Sequence, residues 1–489
     1  MTLTKDDWRA VREIVQEKLE FKALRPGQKE ALEAILQGRD TLAVLPTGAG
    51  KSAIYQIAAL MIPGPTVVVS PLIALQVDQV DAIRHNELGE AAVVNSLQLP
   101  SHNQGAFEAL AKDELEFLLL SPEQLANPIT LQRLSSAQPS LFVVDEAHCI
   151  SEWGHSFRPE YLRLGSAIEA LGRPVTLALT ATAAADVRRE IIERLGLVAP
   201  HVVVSGFDRP NIHLQVRCLS GEALKQRELV ALLGELDGTG IVYVGTRKHA
   251  EAVAGVLVSS GHVAAAYHAG LKRAERIQRQ QAFTDGSLRI IVATNAFGMG
   301  IDKPDVRFVV HYDVSDSLDS YYQEVGRAGR DGEPARAVLF FSERDLNLRR
   351  FFAGGGKLIE SEVGLVLDAL RASAAKLSVE ELQQQTHLTR AKLNRALVRL
   401  EDQGVVERDA QGAASLNARA GRDLPVKVER AVQAQERLRA RQQARIEGIR
   451  AYARERRCRR AVLLGHFGEA LVGRCTGCDN CDHPLQGAA

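Results

Sequence analysis

The feature that most limits how this chain can fold is a β-branched run that breaks into glycines and restarts as a helix. Thr41–Leu45 reads as a buried strand. Pro46-Thr47-Gly48-Ala49-Gly50-Lys51-Ser52 follows, and a helical pattern begins at once. Strand, glycine turn and helix form the unit of an α/β sheet, and the glycines let backbone N–H groups curl around phosphate oxygens at a helix N-terminus. In that pattern Lys51 reaches the outer phosphates of a nucleotide and the Ser52 hydroxyl ligates magnesium. The strict spacing G-x-x-x-x-G-K-[ST] is not met, because Leu45 stands at its first glycine. A Gly-Lys-Ser turn can also arise by chance, so the reading needs a second feature.

The rest of the chain supplies the rhythm such a sheet requires. Thr66–Ser70, Phe117–Ser121, Leu141–Asp145 and Val175–Thr180 are short apolar runs, each followed by turn residues and an amphipathic stretch. The pattern restarts near Phe207, with Gly240–Val244, Ala264–Tyr267, Ile290–Thr294, Val306–Tyr312 and Ala337–Phe341. At 489 residues the chain is too long for one core, and this alternation predicts two α/β domains in tandem, over 1–205 and 206–353. Phe351–Lys357, with Gly354, Gly355 and Gly356, reads as a linker. Beyond it Ser378 and Glu381 fit a capping box. Thr389 is an N-cap for a helix whose Leu393, Ala396, Leu397 and Leu400 share a face, and Gly404 stops it. A run to Leu416 with Gly412 reads as a hairpin. Three helices and a hairpin over 361–420 predict a mostly α, winged-helix-like domain, although other small domains share that order. Val426–Arg457 reads as a long Arg- and Gln-rich helix within a last region, 421–489.

The second feature is Leu-Phe-Val-Val-Asp-Glu-Ala-His at Leu141–His148. An acid at the end of a buried parallel strand, facing the first glycine turn, is where magnesium is held in such sheets. Asp145 has that position, and Glu146 beside it can orient or deprotonate an attacking water. Further on, Tyr321-Tyr322-Gln323-Glu324-Val325-Gly326-Arg327-Ala328-Gly329-Arg330 carries two arginines three apart, which share a face if the segment is helical. Guanidinium groups suit phosphate, and an arginine supplied by a second domain stabilises charge in phosphoryl transfer, an effect worth roughly 10³–10⁵ in rate. The glycines at Gly326, Gly329 and Gly332 point instead to tight packing near a loop.

Bulk charge excludes nothing, because Lys+Arg and Asp+Glu both number 60. One local excess stands out: Arg419 to Arg460 holds 14 Lys+Arg against 5 Asp+Glu. It reads as a polyanion surface or as a solvated helix face. The first twenty residues lack an apolar leader core, and no run approaches the roughly 20 apolar residues of a membrane span, so a cytoplasmic chain is expected. Four of the six cysteines crowd into the C-terminal stretch as C-x16-C-x2-C-x2-C, at Cys458, Cys475, Cys478 and Cys481. Four thiolates so clustered in a reducing compartment suit tetrahedral zinc.

These residues resemble the RecQ family of superfamily-two DNA helicases. Asp-Glu-Ala-His, Thr180-Ala181-Thr182 and Gln323–Arg330 resemble motifs II, III and VI. Ile241–Arg247 resembles motif IV and Ala296–Pro304 motif V. Leu24-Arg25-Pro26-Gly27-Gln28 resembles motif 0, which implies that Gln28 bonds adenine, Arg25 contacts the nucleotide, and Phe21 stacks on the base. Cys149–Pro159 resembles the aromatic-rich loop after motif II. It implies that Trp153 and Phe157, beside Arg158, sense single-stranded DNA, and exposed aromatics stack on bases at roughly 1–3 kcal/mol each. The cysteine cluster, within Cys-Arg-Arg and Phe-Gly-Glu, resembles the RecQ zinc module.

The resemblance implies two tandem RecA-like domains, a zinc module and a 3′-to-5′ ATP-dependent motor. It implies ATP, magnesium and zinc as cofactors, and single-stranded and duplex DNA as partners of a monomer active in repair or recombination. In that motor Lys51, Asp145, Glu146, Gln323, Arg327 and Arg330 carry catalysis, and Thr47, Gly48, Ala49, Gly50 and Ser52 complete the nucleotide loop. The order of parts departs from the family. About 100 residues separate the glycine linker from Cys458, where the family places the zinc module directly after the motor, so roles of the usual C-terminal domains are not carried over. An RNA helicase, a translocase that leaves strands paired, and a DNA-binding protein with an inactive motor are the rival readings.

Overall fold

The apolar runs assemble into two parallel sheets in a computed structural model that describes residues 3–46, 48–71, 73–96, 98–151, 158–298, 303–347, 358–373, 375–409, 412–417, 423–475 and 477–482. The first sheet holds β1 (Thr41–Val44), β2 (Thr66–Val69), β3 (Ala91–Val94), β4 (Phe117–Leu120), β5 (Leu141–Val144), β6 (Val175–Thr180) and β7 (His201–Val204). Their order is β3-β4-β2-β5-β6-β1-β7. Register is set by largely buried strands: Thr41 faces Leu177 across β1 and β6, and Leu141 faces Val175 across β5 and β6. The carboxyl ends of β1 and β5 therefore flank that of β6, and the loops leaving them share one crevice.

The second sheet holds β8 (Ile212–Cys218), β9 (Thr239–Tyr243), β10 (Ala264–Tyr267), β11 (Ile290–Ala293), β12 (Val306–His311) and β13 (Ala335–Phe341), ordered β10-β11-β9-β12-β13-β8. Ten of these strands lie within a residue or two of the runs read from sequence. β3, β7 and β8 escaped that reading. β3 opens on two alanines, β7 leaves Val202 and Val204 exposed, and β8 alternates Leu214 and Val216 with polar residues at a sheet edge. Each sheet packs its helices over its own core, one built on Ile54, Val68, Val143 and Leu179, the other on Leu232, Val242, Val292 and Phe308.

Compact units do not follow the chain order. Residues 1–342 cluster with 451–489, and residues 343–450 form a separate unit. In that second unit the helices Glu360–Ala372, Val379–Thr386 and Arg390–Asp402 precede an antiparallel hairpin, β14 (Val406–Arg408) with β15 (Ala414–Leu416). Ser378 and Glu381 form the capping box, Thr389 accepts from the Lys392 N–H, and Gly404 and Gly412 take positive φ at the two stops. Leu393, Ala396, Leu397 and Leu400 are fully buried together with Val366 and Leu382. Arg399 Nε donates to Gln435 Oε1 of the helix Leu424–Arg454, 3.2 Å away. The glycine linker at Gly354–Gly356 lies outside the described residues.

Candidate nucleotide and zinc sites

The turn after β1 is built by two left-handed glycines. Gly48 has φ +79° and Gly50 φ +70°, and Gly50 caps the helix Lys51–Met61. A Cβ on Gly50 would come within 2.8 Å of Gln28 Nε2. Gln28 is itself buried, and both ends of its amide are used inside the protein. Its Nε2 donates to the carbonyls of Ala49 and Gly50 at 2.7 and 2.9 Å, and its Oε1 accepts from the Arg25 N–H. Arg25 Nη1 donates to the Gly48 carbonyl at 3.0 Å. Gln28 and Arg25 thus brace the glycine turn. Thr47 lies outside the described residues.

Across β6, Asp145 closes the end of β5. Its Oδ1 accepts from the Glu146 N–H, and its backbone carbonyl accepts from the Tyr161 hydroxyl at 3.0 Å. Burial, and then the charge of Glu146, pushes the Asp145 carboxyl up to about 6 against the pull of Lys51. Burial lowers the Lys51 ammonium, while Glu146 and Asp145 hold it up. Glu146 is left-handed at φ 48°, a conformation that costs a non-glycine residue about 1–3 kcal/mol and turns the carboxylate out of the strand line. His148 Nδ1 lies 3.3 Å from Glu146 Oε2 and 3.0 Å from Thr180 Oγ1, joining the acid pair to Thr180-Ala181-Thr182.

Lys51, Ser52, Asp145 and Glu146 line a cavity of about 710 Å³, together with Phe21, Arg25, Gln28, Gly48, Ala49, Gly50 and Arg330. Phe21 is 42% exposed, free to meet a base. Arg330 comes from the connection between β12 and β13 of the second sheet, and a Cβ on Gly48 would sit 3.4 Å from its Cγ. The cavity's volume, cation pair and acid pair fit a nucleoside triphosphate with a divalent ion. Asp78, Gln79 and Gln56 line it too, and sequence reasoning missed them because polar residues on an amphipathic helix carry no signal of their own.

Arg327 does not join Arg330. The helix Leu318–Val325 ends before both, so the arginines lie in turns and share no helix face. Gly326 caps the helix, and in the turn that follows Gly329 takes φ +56°, where a Cβ would lie only 2.4 Å from Asn211 Nδ2. Arg327 is 5% exposed and donates to the Gly298 carbonyl. Gln323, half-buried on the helix, is not among the cavity's lining residues. Arg158 Nη1 donates to the Pro71 carbonyl at 2.7 Å, at the mouth of β2. Trp153, Phe157 and Met299–Asp302 lie outside the described residues.

The four cysteines meet at the C-terminal end. Cys458 caps the helix Arg459–His466, and the Sγ atoms of Cys458, Cys475, Cys478 and Cys481 all lie within 4.8 Å of one another. Tetrahedral zinc with bonds of about 2.3 Å needs sulfurs about 3.8 Å apart, so the four fit that ion. The cluster is welded to the second sheet. Leu214 N–H donates to the Gly477 carbonyl, Val216 N–H to Asp479 Oδ2, and Cys478 pairs with Leu214 as a parallel bridge.

Comparison with known proteins places these sites in a class. The model of DEAD/DEAH box helicases matches residues 25–190, the helicase conserved C-terminal domain 224–332, the RecQ zinc-binding domain 421–482, and the IclR helix-turn-helix domain 364–410. Both halves of the chain's parallel-sheet region are thus helicase domains. A RecQ helicase of Synechocystis is 41% identical over 66% of this chain and 71% of its own length. The chain belongs to the RecQ family.

A probable helicase RecS of Bacillus subtilis is 42% identical over 67% of this chain and 66% of its own length. RecQ of Pasteurella multocida is 44% identical over 66% and 51%. The match thus spans between half and two thirds of these two relatives. Among solved structures, the helicase Lhr of Mycobacterium smegmatis, bound to ssDNA and AMP-PNP, aligns with a TM-score of 0.54 at 23% identity, over 87% of this chain and 61% of that one. That likeness is one of fold.

Proposed function

We propose that the chain is an ATP-dependent DNA helicase that moves 3′ to 5′ on single-stranded DNA and separates duplex ahead of it. The observation that carries the reading is the single cavity in which the phosphate turn, the acid pair Asp145–Glu146 and Arg330 meet. In this reading residues 1–205 and 206–353 are the two motor domains. Gly48 to Ser52 cradle the phosphates through backbone N–H groups, and Lys51 neutralises the outer ones. Ser52 and Asp145 hold magnesium, which when bound offsets charge on the phosphate oxygens. Glu146 orients the attacking water, and Arg330 meets the charge that develops on the transferred phosphoryl group. Arg327 and Gln323 support that turn from behind. Trp153, Phe157 and Arg158 meet the single strand, and Cys458, Cys475, Cys478 and Cys481 hold structural zinc. The protein would work as a monomer in the cytoplasm, where these thiols stay reduced, in repair or recombination.

The test is strand displacement on a 3′-tailed and a 5′-tailed DNA duplex with ATP and magnesium. Unwinding of the 3′-tailed duplex alone, abolished by Lys51→Ala, is the expected result. Unwinding that survives Lys51→Ala would refute the site. ATP hydrolysis stimulated by DNA without displacement would make the chain a translocase, and stronger stimulation by RNA would make it an RNA helicase.

A further inference from the structure

Between the two sheets the backbone runs through Phe207-Asp208-Arg209-Pro210-Asn211, and this strap is gripped from both sides. On one side stands the turn that carries Arg330. Arg209 Nη1 donates to the Gly326 carbonyl at 3.0 Å, and its Nη2 donates to the carbonyls of Ala328 and Gly329 at 2.8 and 2.9 Å. Asn211 Nδ2 adds bonds to the carbonyls of Gly329 and Glu333. Three carbonyls of one five-residue turn are therefore held by a single planar guanidinium, whose fork a lysine cannot reproduce.

On the other side stands the zinc module. Phe207 stacks on Phe467 with ring centroids 4.5 Å apart and planes at 14°, and both rings are buried. The Phe207 N–H donates to Glu469 Oε2 at 2.7 Å. Arg460 donates to Asp208 Oδ1, the Arg209 carbonyl and the Ile212 carbonyl at 2.6, 2.7 and 2.8 Å. Arg188, on the helix after Thr180-Ala181-Thr182, reaches the Phe467 carbonyl at 3.4 Å. Among the described residues none of the cysteine module lines the cavity, yet the module holds the backbone of the residue that holds the Arg330 turn.

We propose that Arg209 is a positioning residue for Arg330, and that the zinc module sets Arg209 through Arg460, Phe467 and Glu469. The inference rests on the ATPase reading above. A displaced turn would misplace Arg330 without emptying the phosphate cradle, so the effect falls on turnover rather than on nucleotide affinity.

The experiment compares Arg209→Ala, Arg209→Lys, Glu469→Ala and Glu469→Gln in the full zinc-loaded chain, alone and combined with Arg330→Ala. Arg209→Ala is expected to lower kcat for DNA-stimulated ATP hydrolysis by about 10- to 100-fold with KM for ATP within about threefold. Arg209→Lys should not rescue it. In the background of Arg330→Ala the second substitution should cost little more, because the two act as one unit. Glu469→Gln, which keeps an acceptor for the Phe207 N–H, should stay near the parent, while Glu469→Ala should not.

Hydrogen exchange supplies the arm that needs no activity. Arg209→Ala should speed exchange across residues 326–330, and Glu469→Ala should speed it at Phe207. Unchanged exchange there, or full multiplicative loss in the Arg209 and Arg330 double variant, would overturn the proposal. A parent chain that binds zinc but hydrolyses no ATP would sink the ATPase reading, and the exchange comparison would still decide the strap.

Discussion

Arg330 lines the nucleotide cavity beside Gly48, whereas Arg327 is buried against the Gly298 carbonyl. Arg330→Ala is therefore expected to cost about 10³-fold or more in ATP turnover with little change in Tm. Arg327→Ala should instead lower stability, by roughly 1.5–3 kcal/mol, because it strips a charged donor from a buried carbonyl. Steady-state kinetics and thermal melts on the two variants separate these outcomes. Asp145 gives a second contrast. Its carboxyl is pushed up to about 6, so ionisation costs the folded state free energy. Stability from this group is complete below about 4 and is lost as pH rises through about 6. Asp145→Asn should thus stabilise the protein at pH 7.5 without magnesium or nucleotide, and the gain should vanish by pH 4, even as the variant stops hydrolysing ATP. Denaturant midpoints at the two pH values check the sign. Lys51, Ser52, Asp145 and Glu146 were legible in the sequence because phosphate chemistry demands fixed spacing near a strand end. Gln28's grip on the turn and the parting of Arg327 from Arg330 were not, because the first depends on the fold bringing two distant segments together and the second on where a helix stops.

Strand runs in the sheet interiors were readable because burial on both faces leaves them nearly all apolar, as in Leu141–Val144 and Ile290–Ala293. Edge strands escape that logic, and β8 shows why: its outer side is finished by chain from far away. Leu214 and Val216 donate to Gly477 and Asp479, so the cysteine knuckle covers an edge that would otherwise stand open. Zinc removal should therefore act on the second sheet and not only on its own loop. Treatment with a zinc chelator, or Cys478→Ser, is expected to release one zinc per chain, lower Tm, and speed hydrogen exchange across Ile212–Cys218. Retained protection of that strand would mean the cover stands without metal. In the separate unit of residues 343–450 the capping box was equally plain in sequence. Ser378→Ala should cost about 1 kcal/mol there, read from urea unfolding of that unit.

At the scale of the whole molecule, equal totals of acidic and basic residues hide a segregation, since residues 419–460 hold 14 Lys+Arg against 5 Asp+Glu. Much of that excess lies along the helix Leu424–Arg454, which the sequence made visible through composition alone. If the helix tracks phosphates, single-stranded DNA affinity will fall steeply with salt, each contact contributing about −0.7 to the log–log slope. Replacing Arg437, Arg439 and Arg441 by Gln should flatten that slope by up to about 2, and an unchanged slope would mark the face as merely solvated.

The knuckle over β8 also sets a clock. A ribosome completes Ile212–Cys218 some 260 residues before it delivers Asp482. The second sheet is complete only once β13 ends at Phe341, some 140 residues before Asp482, so at about 5–20 residues per second it waits roughly 7–30 s with a bare, hydrogen-bond-hungry border. During that interval the nascent chain must be shielded from its neighbours, until Gly477 and Asp479 arrive to cover the strand.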